Sequence, residues 1–230
     1  MPARSAETAR AVVMLAVGSS EPAKGARRVN ESTWERIDRG RERWNVLRHP
    51  FYRRWSAGEL SAAELARYSG QYRHAVEAIA TMSAVAADSL PDRTELRRHA
   101  AEELGHLRLW DGFVTASGGD AGVAATAETR ECVRAWTADD GAVATLARLY
   151  AIESAQPAIS RTKREGLLER YGFADGAGTA YFSVHETRDV EHAAEVRELI
   201  GEVAAETDED ELVSAAESAL RANWRLLDGV

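Results

Sequence analysis

From about residue 31 to its end the chain reads as one helix after another. Apolar residues recur at spacings of three and four, alanine is abundant, and proline and glycine gather at a few junctions. No stretch shows the strict apolar–polar alternation of a half-buried strand. Ser32 with Glu35, and Ser61 with Glu64, have capping-box spacing, in which hydroxyl and carboxylate satisfy the first free amides, so each pair predicts a helix start. Pro91 opens a third helix that runs to about Ala116 and ends at Gly118-Gly119, and a fourth covers roughly Thr126 to Trp136. A fifth begins near Asp140 and runs long. A sixth spans about Thr179 to Glu206 after a break from Gly172 to Gly178, and Thr207 with Asp208, Glu209 and Asp210 starts the seventh. Helices of this length must bury an apolar face against one another. The expectation is an all-α, seven-helix bundle over residues 31–230, preceded by a flexible extension over residues 1–30 that carries Pro2, Gly18, Pro22 and Gly25.

Composition narrows the function. A net charge of −8 without a basic stripe excludes a nucleic-acid partner, because phosphate binding needs clustered positive charge. No apolar run approaches the roughly 20 residues of a membrane span, and Ala11 to Val17 is short even for a signal-peptide core. The single cysteine, Cys132, rules out an intramolecular disulfide or a cysteine-rich zinc site and points to the reducing cytoplasm. Arginine supplies nearly all the basic residues: the only lysines are Lys24 in the extension and Lys163 in the body. Lys163 therefore stands out.

The sharpest chemical signal is His185-x-x-x-Asp189-x-x-His192. On a helix these three side chains fall within about 60° of arc, a stripe of two imidazoles and a carboxylate suited to iron, manganese or zinc. Glu102-Glu103-Leu104-Gly105-His106 offers a second pair on one face, through either glutamate, and Glu103 is the choice taken. Glu153 sits in apolar sequence from Ala142 to Ile152, and a buried carboxylate needs a compensating partner. Pro157, four residues on, has no amide hydrogen and leaves the Glu153 carbonyl without its helical bond, loosening the helix at that point. Glu103, His106, Glu153, His185, Asp189 and His192 together make three histidines and three carboxylates, the complement expected for two bridged metal ions in a helical bundle. His49 and His74 read as capping or packing residues, and His99 is expected to face solvent.

These residues resemble the haem-oxygenase-like dinuclear metal oxidases, which are similar in fold to thiaminase-like and pyrroloquinoline-quinone-synthase-like proteins. The last motif matches His185-x-x-x-Asp189-x-x-His192, and Glu153 and the Glu103/His106 pair match the others. Within that family the chain is most similar to the chlamydial-type p-aminobenzoate synthases, which serve folate formation, through the segments 49–60, Glu153-Ser-Ala-Gln-Pro157 and 171–185. The resemblance covers about residues 35 to 230. It implies a centre of two reduced metals, iron with iron or iron with manganese, that uses O2 and an external reductant. It also implies that Tyr52 is consumed as the aromatic precursor and that Lys163 is the amino donor or essential helper. Arginine could not replace that lysine, because its guanidinium stays protonated. The compressed Glu103-to-His106 gap departs from the chlamydial pattern and is closer to relatives that cleave small substrates. An external amino acid or fatty acid is therefore the alternative substrate, and a metal-free thiaminase-like or binding protein the third reading. Tyr52 and Tyr181 also fit as plain core aromatics. A homodimer is expected, with no nucleic acid or membrane partner.

Overall fold

The structure, a computed structural model, describes residues 29–204 and 209–230. The extension expected over residues 1–30 lies, apart from Val29 and Asn30, outside the described residues, as do Glu206, Thr207 and Asp208.

Nine α-helices and one short 3-10 turn make up the regular structure of the described residues: α1 (Glu31–Arg43), the turn Val46–Arg48, α2 (Pro50–Ala57), α3 (Ala62–Ser89), α4 (Thr94–Ala116), α5 (Ala127–Trp136), α6 (Ala142–Glu153), α7 (Gln156–Glu169), α8 (Ala180–Val203) and α9 (Glu209–Asp228). Two of the seven expected helices are each interrupted once. The first stops because the Asn45 side chain caps the 3-10 turn and Pro50 holds His49 in extended backbone. The fifth stops at Glu153 and restarts at Gln156, where Pro157 falls in the first turn, the place a helix tolerates proline best.

The Ser61/Glu64 capping box forms as expected. The Ser32/Glu35 box does not. Asn30 and Thr33 are instead taken by the Glu209 carboxylate of α9, which starts α1 at Glu31. Thr126 caps α5, and Pro91 precedes α4 in a turn rather than opening it.

The bundle is ordered around α8, which packs against α4, α6 and α7, while α3 covers α4 and α9 covers α5 and α6. Burial of Trp110, Phe113, Leu146, Leu149, Phe182 and Leu226 forms the apolar centre. One close approach matters to the site. A methyl group on Gly166 would lie 2.4 Å from the indole nitrogen of Trp55, so only glycine lets α7 lie against α2 at this point. Trp55 in turn donates to the Lys163 carbonyl at 3.3 Å, which fixes α2, bearing Tyr52, against α7, bearing Lys163.

Candidate metal centre

Three helices bring seven metal-ligating side chains to one buried point. α4 supplies His99, Glu103 and His106, the last residue of α6 supplies Glu153, and α8 supplies His185, Asp189 and His192; all seven are buried. They form three overlapping triads: His99/Glu153/His192, Glu103/His106/His185 and Glu103/Asp189/His192. Within each, the donor atoms lie within 4.8 Å of one another. Glu103 and His192 each belong to two triads.

The expectation that His99 faces solvent is wrong. Its ring centre lies 4.0 Å from that of His192, tilted by 34°, and its Nε2 lies 2.8 Å from Glu153 Oε1. The signal was present in the sequence: His99-x-x-x-Glu103-x-x-His106 repeats the spacing of His185-x-x-x-Asp189-x-x-His192. Two helices thus present the same stripe, and packing α4 on α8 turns the stripes toward each other. The other two histidines do serve as caps or packing groups. His49 Nδ1 accepts from the Phe51 amide, and His74 Nε2 bonds the Val123 carbonyl.

Glu102 and Glu103 point in different directions. Glu103 is 2 % exposed and accepts from His106 Nδ1 at 3.0 Å. Glu102 points outward, held by Nε and Nη2 of Arg188 at 2.8 Å, and accepts from His192 Nε2 at 3.0 Å. It therefore fixes the His192 ring from outside and leaves Nδ1 facing inward. In the same way His185 donates from Nδ1 to the Tyr181 carbonyl at 2.7 Å, leaving Nε2 for the centre.

Beyond the 2.8 Å contact of His99 Nε2 with Glu153 Oε1, the other oxygen of Glu153, both oxygens of Asp189, His185 Nε2 and His192 Nδ1 lack any hydrogen-bond partner although they are buried. Leaving one such group unsatisfied costs about 1–3 kcal/mol, so a cluster of five calls for a cation. The donor set of four imidazoles and three carboxylates suits iron or manganese. Electrostatics agree. Burial raises the Glu153 and Asp189 carboxyls above their usual range, and neighbouring carboxylates push Asp189 further. For Glu103 burial acts in the same direction, but the hydrogen bond from His106 and the nearby His185 imidazole outweigh it and hold the group below normal. Burial lowers His185, and lowers His192 to about 4, so these two imidazoles are neutral and ready to ligate, while the Glu153 carboxylate outweighs burial and raises His99. We expect Glu153→Ala and His185→Ala to lose at least one of two bound ions and His99→Ala to weaken binding, read by elemental analysis of purified protein. Wild-type metal content in all three would refute the centre.

Tyr52 and Lys163 sit apart from the ligands but near each other. Tyr52 is 1 % exposed and its Oη shares a 2.8 Å hydrogen bond with Tyr68 Oη. Lys163, fully buried, has no partner for Nζ, which lies 4.5 Å from the ring centre of Tyr72 and 5.4–5.7 Å from those of Tyr52, Tyr68, Trp110 and Phe182. Burial lowers its ammonium to about 7. From His185 an unbroken series of rings leads back to Tyr52: Tyr181 stacked on His185 at 3.8 Å, Trp110 at 4.8 Å, Tyr68 at 6.1 Å and Tyr52 at 6.3 Å.

An all-helical bundle encloses four histidines and three carboxylates, a donor set that suits a metal site. The chain belongs to the family of iron-containing redox enzymes with a haem-oxygenase-like fold, whose model matches residues 66–224, and it is an oxidoreductase. It is 31% identical over 224 residues to the 4-aminobenzoate synthase of Chlamydia muridarum, covering 90% of this chain and 94% of that protein. The 4-aminobenzoate synthase of Nitrosomonas europaea is also 31% identical, over 81% of this chain and 85% of its own. Among solved structures, a domain with a heme oxygenase-like fold from Shewanella denitrificans superposes with a TM-score of 0.73 at 21% identity, covering 87% and 91% of the two chains. A TenA homologue from Pseudomonas syringae gives 0.71 at 18%, covering 88% and 97%. No helix of the described residues is long and apolar enough to cross a membrane.

Proposed function

We propose that this protein is an O2-dependent dinuclear oxygenase that makes p-aminobenzoate from its own Tyr52, with nitrogen delivered through Lys163. One observation carries the reading: a buried, unpartnered amine is enclosed by aromatic side chains of the protein itself, Tyr52 among them. Two reduced metals, iron with iron or iron with manganese, would be held by His99, Glu103, His106, Glu153, His185, Asp189 and His192, and would supply dioxygen activation with electrons from an external reductant.

The chain's own groups account for the rest. Lys163 at about 7 is substantially a neutral amine near neutral pH, and so nucleophilic where an exposed lysine is not. Tyr68 holds the Tyr52 hydroxyl through a shared hydrogen bond. The rings of Tyr68, Trp110 and Tyr181 give an electron leaving Tyr52 a continuous path toward His185. Close packing excludes water from the path: Tyr68, Trp110, Tyr181 and Lys163 are all fully buried. Burial of the lone Cys132 accords with a reducing, cytoplasmic setting.

The reading is tested by supplying purified protein with ferrous iron, with or without manganese, a reductant and oxygen, but no organic substrate. Mass spectrometry should find p-aminobenzoate at no more than one equivalent per chain. Its absence from protein carrying two metals would leave a dinuclear oxidase of an external substrate, the reading to which the short Glu103-x-x-His106 spacing leans.

A further inference from the structure

α7 carries a third stripe with the spacing of those on α4 and α8. Gln156, Ser160 and Lys163 stand at intervals of four and three, within about 60° of helix arc, and all three are buried. The backbone of Ser154 and Ala155 stays in the right-handed helical region, so the stripe continues back across the α6–α7 break to Glu153, three residues before Gln156. Both polar atoms of the Gln156 amide, Ser160 Oγ and Lys163 Nζ are buried and find no hydrogen-bond partner within the protein. Comparable residues elsewhere are paired. Gln71, equally buried, donates to the Ala124 carbonyl and accepts from the Thr126 amide and the Thr129 hydroxyl. Buried Ser83 donates to the Ile79 carbonyl one turn back, as Thr162 on α7 itself does to Ala158. Ser160 makes no such bond. Buried polar groups are nearly always paired, so a row of open ones between a metal-ligating carboxylate and an amine calls for a reason.

We propose that Gln156 and Ser160 are positioning residues that tie Glu153 to Lys163 when the centre binds metal. Glu153 Oε1 lies 2.8 Å from His99 Nε2, so a cation ligated by both leaves the second Glu153 oxygen as an acceptor on the α7 side. Ligating carboxylates are in turn held by outer hydrogen bonds, and the nearest open donor on the shared face is the Gln156 amide. Gln156 Nε2 donates to that oxygen, Gln156 Oε1 accepts from Ser160 Oγ, and Ser160 Oγ accepts from Lys163 Nζ. An amide suits the middle place because it donates and accepts at once and adds no charge beside three carboxylates. Metal loading thereby fixes the amine of Lys163 from the far end of the stripe. The link to Lys163 gains its purpose from the reaction proposed above.

Two measurements on the full chain decide this, and neither reads product. Gln156→Met keeps the bulk and removes both amide groups. In anaerobic chelator competition it should bind Fe2+ about 10–100-fold more weakly than the wild type. Before metal is added it should unfold at no lower urea concentration, because an unpaired amide has no bond to lose. Unchanged iron affinity, or a fall in affinity and metal-free stability together as a packing residue would give, overturns the relay. Lys24 and Lys163 are the only lysines, so 15N-lysine labelling yields one Nζ signal from each. Zn2+, a diamagnetic ion suited to imidazole and carboxylate donors, should shift the Lys163 signal and slow its proton exchange in the wild type, and do neither in Ser160→Ala or Gln156→Met. A Lys163 signal that zinc leaves unmoved in the wild type, or still moves in Ser160→Ala, also overturns it. A wild type that forms no p-aminobenzoate refutes the reaction and not the relay, which affinity and NMR judge alone.

Discussion

Tyr52→Phe is expected to reduce p-aminobenzoate to background while leaving two metals bound. The substitution removes one oxygen from a side chain whose hydrogen bond is to Tyr68, and Tyr68 still holds the ring in place through edge contact at 6.3 Å. Its structural cost comes from Tyr68, whose buried hydroxyl loses its partner at 2.8 Å; that amounts to about 1–3 kcal/mol, a modest drop in melting temperature. Metal analysis, thermal unfolding and product quantification on one preparation separate these effects. Wild-type product from Tyr52→Phe would end the self-sacrifice reading. Loss of product together with loss of metal would show instead that Tyr52 supports the centre.

Lys163→Met should move stability and activity in opposite directions. The amine, ordinarily at 10.5, is lowered to about 7 by burial. An amine whose folded value lies below its unfolded value destabilises the fold. The penalty is absent above about 10.5, where both states are neutral, grows as pH falls toward 7, and is constant below that. At pH 7 a depression of this size corresponds to about 4 kcal/mol, an order-of-magnitude figure. Methionine has similar bulk, and Nζ has no hydrogen bond to lose. Metal-free Lys163→Met should therefore unfold at higher denaturant than the metal-free wild type at pH 7, with the gain shrinking toward pH 10, and should form no p-aminobenzoate. Equal stability across that range would show that Lys163 is hydrated and charged. Retained product would exclude it as amino donor. A stabilising change that removes activity is what a strained functional residue produces, and a packing lysine would not.

Much of this was legible in the chain. The all-α class follows from apolar periodicity with proline and glycine at the junctions, which leaves no alternative way to bury the apolar faces. The α8 stripe of His185, Asp189 and His192 is likewise a property of helical geometry, because spacings of four and three place side chains on one face wherever the helix lies. The departure of Lys163 from the arginine bias was also visible, as was the effect of Pro157 next to Glu153, since a missing amide hydrogen is a covalent fact.

What remained hidden depended on how helices meet. His99 carries the same local signature whether it faces water or the centre, and only the packing of α4 on α8 turned it inward against Glu153. The roles of Glu102 and Glu103 differ by one residue, about 100° of helix rotation, and the partners across the interface, Arg188 and His192 for one and the metal cluster for the other, set that rotation. The Ser32/Glu35 box gave way to a carboxylate from α9 that no local pattern could announce. Local sequence determined which residues share a helix face, because that follows from bond geometry within a few residues. Tertiary structure alone decided which faces confront each other, and so joined side chains as distant as His99, Glu153 and His192 into one centre.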